Sequence, residues 1–181
     1  MTDERLIHTS KFLSKYLRHD PAGLGLTLAP GGWVDVSDLL NACAKKRLPL
    51  TREELNEVVA KNSKQRFSYD ETGARIRANQ GHSVDVDLQL VPATPPPVLY
   101  HGTGHGAADA IRREGLRKMR RHHVHLSADG ETARIVGARH GRPVVFLVDV
   151  QAMHADGHVF YCSENGVWLV DEVPPRYLSE P

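Results

Sequence analysis

The sequence predicts an α+β protein in two lobes, and three observations carry that expectation. Apolar residues recur at helical spacing through the first third of the chain and then give way to a strand–turn–strand pattern. The stretch VPATPPP, Val91 to Pro97, then interrupts every period. Its prolines cannot join a helix and make a stiff extended connector. Beyond it, short strands alternate with short helices to the end. The expected organisation is therefore a lobe over 1–91, a linker over 92–97 and a second lobe over 98–181.

Element by element, Leu6, Ile7, Phe12, Leu13, Tyr16 and Leu17 form the apolar face of a first helix, and Asp20-Pro21 stops it. GLTLAPGGWVDV reads as strand–turn–strand, with Gly31-Gly32 in the turn. Ser37 is a candidate cap for a helix whose inner face is Leu39, Leu40 and Cys43. TREE, Thr51 to Glu54, is a capping box for a further helix with Leu55, Val58 and Val59 inward. RFSYDETGARIRA alternates around Glu71-Thr72-Gly73, a hairpin signal. Three helices and a hairpin in that order resemble a winged-helix lobe. After the linker come a strand at VLY, a helix at GAADAIRRE ended by Gly115, and a strand at HVHLS. A helix at GETARIVGARH, ended by Gly141, leads to a buried strand at VVFLVDV. HVFYCSENGVWLV is a hairpin predicted to turn at Asn165-Gly166 in a type I′ turn.

The 181 residues are 40% hydrophobic and 25% charged, as in ordinary globular domains. The 23 basic and 22 acidic residues leave a net charge of +1. That balance excludes a protein that coats nucleic acid indiscriminately, so a phosphate site must rest on clustered residues. The longest uncharged apolar run, VVFLV, is far too short to span a bilayer. The first residues, MTDERLIHTS, do not read as a secretory signal. Cys43 and Cys162 are the two cysteines, which suits a reducing cytoplasm and cannot supply a thiolate-rich zinc site.

Several stretches could carry chemistry. Arg18 and His19 end the first helix, where the macrodipole alone favours cations. Arg66 opens the hairpin, and a solvated arginine is the ordinary reading there. Asn79, Gln80 and His82 form a polar turn that either contacts a ligand or satisfies its own backbone. In LYHGTGHG, glycines between a strand and a helix let backbone approach a ligand, and a helix N-terminus favours an anion. The spacing fits neither a Rossmann fingerprint nor a P-loop. In RRHHVHLS, His123 and His125 share a strand face, but a metal would need a third ligand that no Asp or Glu supplies at a telling spacing. Arg120 and Arg121 are better matched to phosphate, since a guanidinium offers a planar fork of donors.

Taken together, LSKYLRHDP, GWVDVSDLL, KQRF, IRANQGHS, LYHGT, IRREGLRKMRRHHVHLS, RPVVFLVDV and ENGVWLV resemble one family, in order and on both sides of the proline seam. It is that of the NAD⁺-dependent RNA 2′-phosphotransferases, often called tRNA 2′-phosphotransferases. The resemblance implies a winged-helix lobe that binds RNA and phosphate, then an NAD-binding lobe of ADP-ribosyltransferase-like fold, with the active site in the cleft between them. It implies removal of an internal 2′-phosphate from RNA by transfer to NAD⁺, through a 2′-phospho-ADP-ribosylated RNA. The products would be 2′-OH RNA, ADP-ribose 1″,2″-cyclic phosphate and nicotinamide, with no metal required.

By the same resemblance, Arg18 and His19 of LRHD, Arg66 of KQRF and Arg121 form the catalytic tetrad, Arg121 being set by its place before HVHLS. His101, Gly102 and Thr103 would bind NAD⁺ with His125 and Ser127, and Gly115 and Leu116 through their backbone. Arg18, His19 and Arg66 would hold the RNA phosphate, with Asn79, Gln80 and His82 as further substrate contacts. No residue is assigned the glutamate role found in many ADP-ribosyltransferases. The expected partner is RNA with an internal 2′-phosphate, tRNA among the candidates, with no membrane association. A cytoplasmic monomer is expected, because no long apolar stripe is left over. Two rivals remain open. One ADP-ribosylates a terminal phosphate or a protein and stops there, and the other is a winged-helix nucleic-acid binder without catalysis.

Overall fold

Thr2 opens the first helix in the computed structural model, which describes residues 1–181. Its side chain accepts from the Arg5 N–H, and α1 runs Asp3–His19 with acids in its first turn and Arg18 and His19 in its last. That charge order suits the macrodipole at both ends. Asp20 closes α1 and immediately caps a 3-10 turn over Pro21–Leu24, its carboxylate accepting from the Gly23 N–H.

The expected first strand, Gly25 to Leu28, follows that turn but forms no strand. Pairing there shrinks to one bridge between Ala29 and Trp33, while Val34 and Asp35 pair with Ile76 and Arg75 instead. β1 is Val34–Asp35, and α2 follows directly over Val36–Lys45. Ser37 does not cap α2. The cap position is Asp35, which makes no side-chain capping bond, while the Val36 N–H donates to the Ala74 carbonyl at 2.9 Å. A long-range backbone bond thus satisfies a donor that a local cap would serve. α3, Arg52–Lys61, carries the capping box as expected, with Thr51 and Glu54 satisfying each other's backbone.

β2, Phe67–Tyr69, and β3, Arg75–Ala78, form the hairpin, with Phe67 opposite Ala78. The antiparallel sheet has the order β1-β3-β2. Its inner face and the three helices bury Leu13, Leu17, Leu39, Leu55, Val58, Phe67 and Ile76 in one core. Each such side chain is worth roughly 1.5–3 kcal/mol when fully buried. Burial also pushes the Cys43 thiol up to about 11, which leaves it unreactive. These elements belong to the first of two compact units, Met1–Gln89 and Leu90–Pro181.

In the second unit, β4 (Val98–Gly104) leads into α4 (His105–Glu114), which ends at Gly115, and then into β5 (Leu116–Arg117). β6 is Val124–Leu126, α5 is Gly130–Gly137 continued by a 3-10 turn over Ala138–His140, and β7 is Pro143–Asp149. A short α6, Val150–Ala155, was not expected. Asp149 starts it by accepting from the Ala152 N–H. β8 (Tyr161–Cys162), β9 (Trp168–Val170), β10 (Glu172–Val173) and β11 (Leu178–Ser179) complete the chain.

β4 pairs with β7 and β7 with β11, while β6 pairs with β9 and β9 with β8. Tyr100 and Ser127 bridge the two sheets through a pair of backbone bonds of 2.9 and 2.7 Å. The β8–β9 hairpin turns one residue earlier than a type I′ Asn-Gly pair requires. The Gly166 N–H donates to the Ser163 carbonyl, and Gly166 alone is left-handed, with φ +77°. This is a tight turn followed by a left-handed glycine. Leu99, Leu126, Val148, Met153, Phe160 and Val170 form the second core.

Candidate functional site

The residues singled out by sequence fall into two groups, one in each unit. In the first, Arg18 and His19 leave the last turn of α1, and the 79–83 loop is tied to them. The Ser83 N–H donates to the Arg18 carbonyl at 2.9 Å, and Ser83 Oγ lies 2.8 Å from His19 Nδ1. Gly81, with φ +88°, passes close over the Arg18 side chain, its absent Cβ falling 3.5 Å from Nη1. The His82 ring is 1% exposed and packs beside Gly32 and Leu88, so it supports the loop from within. Ser83 was not singled out from sequence. Its signal is its place next to His82, within the same polar turn.

Arg66 stands at the start of the hairpin. Its Nη1 donates to Ser10 Oγ on α1 at 3.1 Å. Its carbonyl accepts from the Asn79 N–H, and the neighbouring Gln65 carbonyl accepts from Asn79 Nδ2 at 2.7 Å. Asn79 is 7% exposed, so its amide holds the backbone that presents Arg66. Gln80, next in the chain, is half-buried.

In the second unit, alternation along β4 puts Leu99, His101 and Thr103 on the face that meets the core. His101 Nδ1 is 3.0 Å from the His125 carbonyl. A carbonyl only accepts, so Nδ1 carries the proton and Nε2 is left as an acceptor. Burial, assisted by the nearby Arg121 charge, holds the His101 pKa below the ordinary histidine value, against the opposing pull of the His125 carbonyl.

Gly102 faces the other way. A Cβ there would fall 1.6 Å from the Ala133 carbonyl, so β4 and α5 approach as closely as they do because the side chain is missing. Thr103 is buried beside it.

Arg121 is exposed and its Nη1 donates to His125 Nδ1 at 3.0 Å. A guanidinium can only donate, so the His125 ring accepts at Nδ1 and is neutral. Arg121, His125 and His101 thereby form one chain of contacts through the side chain and the carbonyl of His125. Ser127 lies two residues on, fixed to Tyr100 by its backbone. Gly115 caps α4 and packs on the Val173 carbonyl. The Leu116 side chain is in the core, and its backbone pairs with Val173. His123 packs edge-on against Tyr161 at 5.5 Å, and no group of three or more His, Cys, Asp or Glu is placed to hold a metal. No helix is long and apolar enough to cross a membrane.

In the first unit Arg18 and Arg66 offer guanidinium donors suited to an oxyanion, and in the second Arg121 offers another beside a neutral imidazole that can accept from a hydroxyl. The comparisons with known proteins point the same way. A family model described as RNA 2'-phosphotransferase, Tpt1 / KptA family, matches residues 4–172. A probable RNA 2'-phosphotransferase of Nostoc punctiforme is 63% identical over 180 residues, covering 99% of this chain and 99% of the relative. Relatives of the same name from Streptomyces coelicolor and Herpetosiphon aurantiacus are 58% and 54% identical, over 100% and 99% of this chain and 98% of each relative. With so much of the chain matched, at such identity, the family expected from the motifs is the one found: the chain belongs to the RNA 2'-phosphotransferase, Tpt1 / KptA family.

Proposed function

We propose that this chain removes an internal 2′-phosphate from RNA by transferring it to NAD⁺. The observation that carries the reading past the family name is the contact chain Arg121–His125–His101. It sets a cation beside a half-buried, neutral imidazole whose Nε2 can accept from a ribose hydroxyl.

NAD⁺ enters as a substrate that supplies an activated anomeric carbon with nicotinamide as leaving group. A phosphate oxygen on the RNA 2′-position forms the bond to that carbon as the nicotinamide bond breaks, giving 2′-phospho-ADP-ribosylated RNA. The ribose 2″-hydroxyl then forms a bond to phosphorus and the RNA 2′-oxygen leaves, taking up a proton. The products are 2′-OH RNA, ADP-ribose 1″,2″-cyclic phosphate and nicotinamide.

Both steps need charge held in place more than covalent work by the protein. Arg18, Arg66 and Arg121 neutralise the phosphate oxygens. His19, braced by Ser83, hydrogen-bonds the phosphate or its leaving oxygen. Asn79, Gln80 and His82 shape the loop beside Arg18. His101, Gly102, Thr103, His125 and Ser127 line the nucleotide pocket, with Gly115 and Leu116 adding backbone groups. No metal takes part.

On this reading the first unit is a winged-helix lobe and the second an ADP-ribosyltransferase-like lobe. The seam over 92–97 joins them, and the enzyme works as a cytoplasmic monomer on RNA such as tRNA. The helix–helix–helix–hairpin order and the free Cys43 and Cys162 support it. The deciding experiment incubates a short RNA carrying one internal 2′-phosphate with and without NAD⁺. NAD⁺-dependent phosphate loss with ADP-ribose 1″,2″-cyclic phosphate is the expected result. Accumulation of ADP-ribosylated RNA would leave only the first step standing, and no NAD⁺ consumption would overturn the reading.

A further inference from the structure

Ser10 lies on α1 two helical turns before Arg18, and is 3% exposed. Its hydroxyl oxygen receives two donors from the segment that follows α3. Asn62 Nδ2 donates to it at 2.8 Å, and Arg66 Nη1 donates to it at 3.1 Å. A hydroxyl oxygen has two acceptor sites, so these contacts fill both.

Asn62 is itself 6% exposed and is fixed from its other end. Its Oδ1 accepts from the Lys64 N–H at 3.1 Å, and its carbonyl accepts from the Gln65 N–H at 2.8 Å. Gln65 is bent into the left-handed region, with φ +41°, which few non-glycine residues adopt. The peptide carrying Arg66 thus leaves a strained turn held by Asn62, and its guanidinium ends on a hydroxyl of α1. An arginine side chain has enough rotamers that an anchor at its tip decides where its charge points.

We propose that Ser10 and Asn62 are positioning residues for Arg66. Asn62 fixes the Ser10 oxygen and the turn, and Ser10 fixes Nη1 of the guanidinium, which sets the direction in which Arg66 presents its charge. This rests on the proposed function, in which Arg66 holds the RNA phosphate. It assigns work to two residues outside the tetrad. Neither touches the reacting atoms, so their effect runs through Arg66 alone.

The test uses the whole chain in five forms: wild type, Ser10→Ala, Ser10→Cys, Arg66→Lys, and Ser10→Ala combined with Arg66→Lys. Cysteine keeps a side-chain atom in the place of the hydroxyl, a somewhat larger one, but accepts only weakly, so it shows the loss of the hydrogen bonds without an emptied site. Two readouts are taken, the rate of NAD⁺-dependent 2′-phosphate loss from a short RNA and the NMR signal of the Arg66 Nε–H. Both Ser10 variants are expected to shift that signal and to slow turnover by roughly ten- to a hundredfold, the scale of a misplaced group. Ser10→Ala is expected to add no further loss to Arg66→Lys. An unshifted Arg66 signal, or the same fractional loss from Ser10→Ala in both backgrounds, would overturn the proposal. If wild type removes no phosphate, the function proposed above fails, and the Arg66 signal alone still decides the positioning.

Discussion

Arg121 and His125 meet through a single ring nitrogen, with the guanidinium donating to Nδ1 at 3.0 Å. The partner is neutral, so the arginine keeps its full charge while losing freedom of direction. Arg121→Ala should therefore fold normally and slow turnover by about a hundredfold or more, the usual scale for removing a donor aimed at developing charge. The check is a single-turnover rate beside a thermal melt. Wild-type turnover would take Arg121 out of the chemistry.

His101 gives a pH dependence of known sign. Burial keeps its folded pKa below the ordinary histidine value, so the fold favours the neutral ring. Stability from this residue is then complete above about pH 6.5 and declines as pH falls through that value toward the lower folded pKa. NAD⁺ affinity should fall over the same window, because a proton on Nε2 removes the acceptor. Calorimetry at about pH 7.5 and about pH 5.5 measures it. An equal slope in His101→Phe would assign the effect elsewhere.

Gly102 and Gly106 make an internal comparison. A Cβ at Gly102 would overlap the Ala133 carbonyl, whereas one at Gly106 meets nothing within 4 Å. Gly102→Ala should destabilise by about 1–3 kcal/mol or more, as overpacking against backbone does. Gly106→Ala, near the start of α4, should stabilise by about 0.4–1 kcal/mol. Thermal unfolding distinguishes the two, and equal melting temperatures would contradict the packing described.

Thr51→Ala removes half of the capping box that begins α3. The expected loss is about 0.5–2 kcal/mol, with activity per folded molecule unchanged. Urea titration gives the first quantity and an assay at low temperature the second.

Chelators should leave the rate unaltered. The His125 Nδ1 lone pair is already occupied by Arg121, and His123 lies against Tyr161. A large loss with EDTA, restored by one added metal, would reopen a metal role for these histidines.

What could be read from the sequence was what neighbouring residues decide among themselves. The Thr51–Glu54 box, the hairpin around Glu71–Gly73 and the stop of α4 at Gly115 are contests within a few residues, and sequence resolves them. Ser37 lost its expected cap because the partner of the Val36 N–H is Ala74, which no local rule sees. The glycine of the Asn165-Gly166 pair was recognised as turn-forming, but the pairing of Cys162 with Trp168 set the loop length.

The candidate site divides the same way. The arginines and histidines announce themselves by type and by motif. Their supports do not, since Ser83 reaches His19 across 64 positions and Ser10 reaches Arg66 across 56. A serine among many carries no compositional signal until the fold brings it to its partner.

The Tyr100–Ser127 bridge has a consequence for how the second unit breathes. It joins the strand bearing His101 to the strand bearing His125 through just two amides. If the two sheets part before the molecule unfolds, those protons exchange with solvent first, and the His101–His125 contact opens with them. Deuterium uptake at Tyr100 and Ser127 would then serve as a clock for the nucleotide pocket, slowed by whatever ligand holds the two histidines together.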